Sequence, residues 1–295
     1  MKIFFTGVTG FIGGSVAARL LAEGHEIRGL VRTSEKAEKL TAMGIQPIVG
    51  NLSDRDILIA NAQWSDAVIN AASSDNLMAV EALIEGLAGS GKVLLHTSGS
   101  SLVGDDARGE FASTKIFDET TPIDPSPLKA PRVALDRLVM DAAKRNVKSV
   151  ILCNSLIYGA GLGVNKDSVQ LPRLIKQAQK SGVVRHVGKG LNIWSNVHIH
   201  DVAELYLLAL TKAPAGSFYF VESGSAAFVE MTMAIAQRLG LGKSENWSHA
   251  EAVAEWGYEH ATYGLGCNSR VCADKARREL AWKPKYHSVI EYLIS

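Results

Sequence analysis

The sequence predicts an α/β protein built on a doubly wound parallel sheet. Three observations carry that expectation. Short apolar runs alternate with amphipathic helical stretches through the first half of the chain. The runs, among them Ile3-Phe4-Phe5 and Ala67-Val68-Ile69, lack the polar alternation of a half-wet sheet, as strands covered on both faces should. The first run breaks at Thr6-Gly7 into three glycines, Gly7, Gly10 and Gly13, with Ile12, Val16 and Leu20 following at helical spacing.

A strand, a glycine turn and a helix in that order predict a Rossmann-type dinucleotide site, the alternative being a glycine-rich turn with no ligand. Gly7 permits the tight turn, Gly10 lets the backbone approach a pyrophosphate, and Gly13 lets helix and strand pack closely. The helix start offers unpaired N–H groups and the positive end of its dipole to phosphates. The candidate cofactor contacts here are Gly7, Thr9, Gly10, Phe11, Ile12 and Gly13.

Further elements follow in order. Residues 25–31 form the second strand, 34–43 a helix with a serine cap, and 46–49 the third strand. Residues 67–71 are a short buried strand, 77–87 a helix and 92–97 the next strand, with a sixth at 150–152. Single helices between strands imply right-handed crossovers, and ligands then sit at the carboxyl ends of the strands. The second strand ends in Val31-Arg32-Thr33-Ser34, with Lys36 beyond. NAD sites usually carry an acid here for the ribose hydroxyls, whereas a cation suits a 2′-phosphate. Arg32 and Lys36 therefore predict NADP(H), with NAD(H) as the alternative.

The second half changes character. A glycine-rich loop at 159–163 precedes a helix at 171–179, a strand at 183–188 and a helix at 202–211. A strand at 217–222 and a helix at 228–239, ended by Gly240, complete the reading. His198 and His200 would share one side of a strand, but no third ligand is evident, so a strand-to-helix turn is expected and no metal. Trp247, Trp256, Tyr258 and Tyr263 read either as ordinary core and surface aromatics or as an apolar substrate wall.

Composition narrows the class. The chain has 295 residues, 47% of them hydrophobic, enough for one large α/β unit or a domain with a smaller appendage. A net charge of +1 argues against a nucleic-acid surface. No stretch reads as a membrane span, and the chain enters a strand at once, so neither a membrane anchor nor a leader is expected. Cys153, Cys267 and Cys272 are odd in number and lack metal-finger spacing, which suits reduced thiols in a cytoplasmic protein.

Six segments together resemble the extended and atypical short-chain dehydrogenase/reductases and the NAD-dependent epimerase/dehydratases. Thr6-Gly7-Val8-Thr9-Gly10-Phe11-Ile12-Gly13 is similar to the family's TGxTGFIG. Gly50-Asn51-Leu52-Ser53-Asp54 resembles its GDLxD adenine loop, with Asn51 for the first acid, and Asp66–Ala72 resembles its DxVxHxAA. Leu156–Gly159, Asn196–Ala203 and Glu279–Pro284 resemble its NVYG, VHxxDxA and LGWxP. The resemblance implies a cofactor-binding domain over residues 1–160, to which segments near 190–222 return. It implies a smaller, mainly substrate-binding region over 161–295. It also makes Asn51, Leu52, Ala71 and Ala72 cofactor contacts.

The departures bear on catalysis. The family's YxxxK supplies a proton-donating Tyr and a Lys that lowers its pKa. Aligned on Asp136, this chain has Leu128 at the Tyr position and Arg132 at the Lys position, with Pro131 suiting a helix that begins near Arg132. Leucine has no proton to give; Arg132 could hold a ribose but stays charged. The family's Ser/Thr position aligns best with Gly99, so Ser98 and Ser100 are candidates, and Cys153-Asn154 replaces an Arg-Pro. The candidate proton sources are Ser98, Ser100, Tyr158 or a bound water, a serine being able only to relay. The resemblance implies reduction of a carbonyl or similar group on a small organic substrate by a monomer or homodimer. The alternatives are a non-catalytic NADP(H) sensor and a sugar-nucleotide epimerase or dehydratase.

Overall fold

The computed structural model describes the whole chain, Met1–Ser295. The first half runs β1 (Lys2–Thr6), α1 (Phe11–Ala22), β2 (Glu26–Val31), α2 (Ser34–Ala42), β3 (Gln46–Val49), α3 (Arg55–Trp64), β4 (Ala67–Asn70), α4 (Leu77–Leu87) and β5 (Val93–Gly99). It continues through α5 (Ala130–Asp141), β6 (Lys148–Asn154), β7 (Leu156–Tyr158), α6 (Gln170–Ser181), β8 (Arg185–Val187), β9 (Ile193–His198) and α7 (Ile199–Lys212). The last part holds β10 (Ser217–Val221), β11 (Gly224–Ala227), α8 (Phe228–Leu239), β12 (Glu245–Trp247), α9 (His249–Trp256), α10 (Asp274–Leu280) and α11 (Val289–Ile294).

Seven strands form one sheet in the order β10-β6-β5-β4-β1-β2-β3, with every pairing parallel. The chain starts in the middle, winds outward through β2 and β3, then returns to β4 and winds the other way. The strand order therefore reverses between β1 and β4, where doubly wound sheets open a crevice. Alternate residues of each strand enter separate cores. Ile3, Phe5, Ile69, Leu95 and Leu152 pack under α1 and α7, while Phe4, Val68, Leu94 and Ile151 pack under α3, α4 and α5. A third core, drawn from Leu156 to Leu293, gathers α6, α8, α9 and α11 around β7, β8 and β9. No helix is long and apolar enough to cross a membrane.

Local chemistry explains the differences from the sequence reading. The side chain that caps α2 belongs to Thr33, whose oxygen accepts the Lys36 N–H at 3.4 Å; Ser34 is already helical. The helix α3 was not predicted because its buried stripe is only Leu58, Asn61 and Ala62, too thin to register as amphipathic. α5 begins at Ala130, two residues earlier than the sequence suggested, with Pro131 in its first turn. The strand ends at His198 and α7 begins at Ile199, so His200 is helical and the two histidines do not share a strand face. His198 Nδ1 accepts the His200 N–H at 3.2 Å and caps α7.

The turn after β1 is built on bare backbone. Gly7 has φ +76°, and a Cβ there would overlap the carbonyl of Ala71. A Cβ on Gly13 would overlap the Gly7 carbonyl, whereas one on Gly10 meets only the Gly7 oxygen, at 3.1 Å. Gly13→Ala must push two backbone segments apart and should destabilise the protein by about 2 kcal/mol or more. Gly10→Ala should cost clearly less. Urea unfolding of the two variants checks this; equal losses would mean that the contact of Gly13 with Gly7 is not tight.

Candidate functional site

The carboxyl ends of β1, β4, β5 and β6 open into a cavity of about 520 Å³, within the range of small-molecule sites. Its floor is Gly10, Phe11 and Ile12 at the start of α1, Ala71 after β4, Ser98 to Ser101 at the end of β5, and Asn154 at the end of β6. Lys129 and Arg132 stand at one side, and two later segments, Asn165–Gln170 and Glu259–Gly264, complete the walls. The second of these carries a single π-helical turn, His260–Gly264.

The floor suits a pyrophosphate. Gly10 is the N-cap of α1 in extended backbone, and no side chain caps the helix. The first-turn N–H groups of Phe11, Ile12 and Gly13 have no partner one turn back, as at any helix start. With only backbone at Gly10, an anion can approach them closely. Asn154 Oδ1, buried in the same cavity, has no hydrogen-bond partner, although its Nδ2 reaches Tyr206 Oη at 3.2 Å. Beyond the cavity, Arg32 is exposed at the end of β2 and enters no salt bridge. The neighbouring strand β3 leads into Asn51, whose Nδ2 donates to Asp54 Oδ2 at 2.9 Å and whose Oδ1 accepts the Ser53 N–H at 2.8 Å. The loop is thereby shaped by its own side chains, and Leu52 packs against the second core.

A buried polar row runs across the strand ends. The register places Thr6 beside Asn70 and Asn70 beside His96. Thr6 Oγ1 donates to Asn70 Oδ1 at 2.6 Å, and Asn70 Nδ2 lies 3.0 Å from His96 Nδ1. His96 Nε2 then faces Asp136 Oδ1 of α5 at 3.8 Å, and Ser98 Oγ donates to Asp136 Oδ2 at 2.7 Å. His96 and Ser98, two residues apart on β5, point to the same side. The 3.8 Å contact is not an ion pair, because burial disfavours the charged form of both groups. It lowers His96 to about 4 and raises Asp136 to about 7 against the opposing effects of Ser98 and Arg132.

The other candidates divide. Ser100 Oγ is 2.8 Å from Ser269 Oγ, and Ser269 in turn bonds the Ser100 carbonyl, so that residue lies in the lining but is held. Tyr158, offered as a proton source, is 1% exposed and lies outside the cavity, sealed against His198 and Tyr292. β7 turns its side chain into the third core instead. Leu128 is 49% exposed and also outside. Arg132 does reach the lining, but it makes a paired contact with Asp75, at 2.8 and 2.6 Å, and donates to Ser101 at 3.1 Å. Those bonds hold the Asp75 carboxyl below its ordinary value. Of the four late aromatics only Tyr263 lines the cavity; Trp256 is core, Trp247 packs edge-on against it, and Tyr258 is exposed.

Lys129 was not singled out by the sequence, since only its neighbours aligned with the expected pair. Its side chain is almost wholly buried, with Nζ 2.6 Å from Glu259 Oε1 and 5.6 Å from the centre of the Tyr263 ring. It joins the entry of α5 to the π-helical turn across the cavity.

The profile of the NAD dependent epimerase/dehydratase family matches residues 3–221. The chain belongs to that family. It is 31% identical to the oxidase ucsJ of Acremonium sp. over 96% of this chain and 92% of the other. It is 27% identical to a 4-hydroxy-2-methyl-3-oxo-4-farnesyl-3,4-dihydroquinoline-1-oxide ketoreductase of Stigmatella aurantiaca, again over 96% and 92%. Among solved structures it resembles dTDP-glucose 4,6-dehydratase of Bacillus anthracis in complex with NAD. That match has a TM-score of 0.78 and 20% identity, over 99% of this chain and 95% of that one. Against the family pattern, Asn70 stands at the His of DxVxHxAA and supplies the middle of the polar row. Asp201 of VHxxDxA accepts the Lys285 and Tyr286 N–H groups at 2.9 and 3.0 Å, tying the C-terminal segment to α7.

The Asp136 carboxyl titrates near 3.8 when unfolded and near 7 when folded, so between those values only the native state holds the proton. Native stability from this group therefore falls as pH rises from about 4 to about 7 and is level above. His96, lowered from 6.5 to about 4, acts in the opposite sense as pH falls through that window. Asp136→Asn isolates the first effect. Its stability relative to wild type should increase by up to about 4 kcal/mol between pH 4 and pH 8. Urea midpoints across that range measure it; a difference independent of pH would show that Asp136 titrates normally.

Proposed function

We propose that this protein is a short-chain dehydrogenase/reductase that binds NADP(H), with NAD(H) the weaker ligand, and reduces a carbonyl or similar group on a small organic substrate. The observation that carries the reading is that one cavity is lined both by the uncapped start of α1 and by Ser98. Backbone suited to a phosphate and a hydroxyl-bearing residue suited to relaying a proton thus border the same space. The names of relatives matched over nearly their whole length, a ketoreductase and an oxidase, support oxidoreduction.

A bound nicotinamide cofactor would supply or accept hydride in this cavity. The chain's own groups would do the rest. Gly10 and the N–H groups of Phe11, Ile12 and Gly13 would hold the pyrophosphate, with Gly7 and Thr9 shaping the turn. Arg32 and Lys36 would meet a 2′-phosphate. Asn51 and Leu52 would border the adenine, and Ala71 and Ala72 the cofactor's inner edge. Arg132 stays charged and would face the ribose side while Asp75 fixes its orientation. Ser98 would pass a proton to the substrate oxygen, and Lys129, Glu259 and Tyr263 would bound the substrate. Residues 161–295 would form most of the substrate region.

A cofactor-controlled regulatory protein is the second reading, favoured by Leu128 standing outside the cavity where the family carries its Tyr. Two measurements separate the cases. Titration with NADPH and NADH should show tighter NADPH binding, and Arg32→Ala should remove about 1.5–3 kcal/mol of it by deleting a charge-assisted contact. Equal affinities of the wild type for both would end the NADP(H) assignment. Gly10→Val should abolish binding of either cofactor while the chain still folds. Single-turnover oxidation of bound NADPH by a broad panel of ketones and aldehydes should reveal hydride transfer; silence across the panel would favour the regulatory reading.

A further inference from the structure

Asp136 stands between two cavities. On one side its carboxyl Oδ2 accepts the hydrogen bond of Ser98, which lines the main cleft. On the other it lines a second cavity of about 180 Å³, bounded by Glu119, Ile123, Val133 and Phe220 and reaching the surface at the exposed Asp118 and Arg137. Asp136 itself is 3% exposed. Its Oδ1 and the facing His96 Nε2 are both buried without a hydrogen-bond partner. A carboxylate placed in this way carries an uncompensated charge, whereas a carboxylic acid there is neutral and can donate.

We propose that Asp136 is the acid that resupplies the Ser98 hydroxyl, so that protons cross from the second cavity through Asp136 and Ser98 into the cleft. The inference rests on the reductase reading for its chemistry. A carbonyl carbon that accepts hydride from a reduced nicotinamide passes its π pair to oxygen. That oxygen takes the Ser98 proton, and the new O–H bond completes the alcohol. Ser98 Oγ takes the Asp136 proton as its own O–H bond breaks. Asp136 is left as the carboxylate, the nicotinamide is left oxidised, and a proton from water in the second cavity restores the acid. Oxidation of an alcohol runs the same transfers backwards. Asp136 touches no substrate; it is a positioning and proton-supplying residue acting through Ser98.

The groups facing Asp136 set when it holds its proton. From β5 these are Ser98 and the neutral His96; from its own helix, Arg132 and Arg137; from β6, Cys153. Asp75 lies beyond Arg132, and Glu119 and Asp118 lie across the second cavity. Burial dominates and raises the carboxyl to about 7, which leaves it protonated for reduction below that pH.

The first test needs no cofactor. Infrared titration of the full wild-type chain should show a buried carboxylic-acid band that disappears as pH rises through about 7 and is missing from Asp136→Asn. In Ser98→Ala the hydrogen bond that favours the carboxylate is gone, so the band should persist to higher pH. A wild-type band lost near pH 4, or one unmoved by Ser98→Ala, would overturn the assignment. The second test uses the loaded enzyme on a carbonyl it reduces. Asp136→Asn should lower kcat about tenfold or more with little change in KM, and should erase the fall in rate above pH 7. The double variant should be no slower than Ser98→Ala, because the two residues act in series. Independent, multiplying losses, or a wild-type pH profile in Asp136→Asn, would refute the relay. Absence of any carbonyl reduction by the wild type would overturn the reductase reading and with it the delivery step. The infrared result would still decide whether Asp136 is the buried acid linked to Ser98.

Discussion

The structure depends on a contact made without side chains. At the end of β1, the backbone of Gly7 touches the backbone at Ala71 after β4 and the backbone of Gly13 in α1. The end of β1, the first turn of α1 and the distant residue Ala71 meet there closer than any Cβ would allow. The contact seats the start of α1 directly over the crevice between β1 and β4, so its unpaired N–H groups face the cavity rather than solvent. The next glycine repeats the device on the outer side. Gly14 lies against Gly163, and Ser15 Oγ accepts the Leu162 N–H at 3.0 Å. The loop that leads to the cavity's later walls is thereby anchored to the same helix.

Below that contact the sheet carries a polar layer that an all-apolar core would not need. Thr6, Asn70 and His96 sit side by side because strand register aligns them, and each satisfies the next. The chain of bonds stops at the gap between His96 and Asp136. A fully ionised pair in that gap would repay only part of the desolvation of two buried charges. The neutral state avoids that cost and leaves Asp136 with a proton to hold. The nearby cation does not cancel this, because Arg132 is turned toward Asp75 and Ser101.

The missing Tyr and Lys also look different in three dimensions. Pro131 starts α5 at Ala130, so Leu128 falls in the preceding turn and stays exposed. Lys129, in the same turn, enters the cavity and bonds Glu259 from the far side of the fold. The cavity wall in this region is therefore closed by a long-range ion pair, buried on the Lys129 side and exposed on the Glu259 side, where such pairs help geometry more than stability.

Much of the fold was legible in the sequence because strand burial and glycine spacing are local patterns. The doubly wound sheet, the glycine turn and most strands and helices follow from apolar period and turn chemistry within short windows. α3 escaped because its buried stripe is too thin, and the cap of α2 was displaced by one residue because Thr33 and Ser34 are chemically alike. Family motifs placed Asp136 in alignment and Ser98 near the expected hydroxyl, but the burial of Asp136 and its pairing with Ser98 depend on α5 packing against β5. The same holds for Lys129 meeting Glu259, for Tyr158 being sealed in the third core, and for Tyr263 alone of the late aromatics reaching the cavity. The sequence by itself determined which segments become strands and helices and where the glycine turn between β1 and α1 lies, because neighbouring residues carry that information. Only the tertiary structure decided which polar groups are desolvated together, because desolvation is set by what packs on every side of a group.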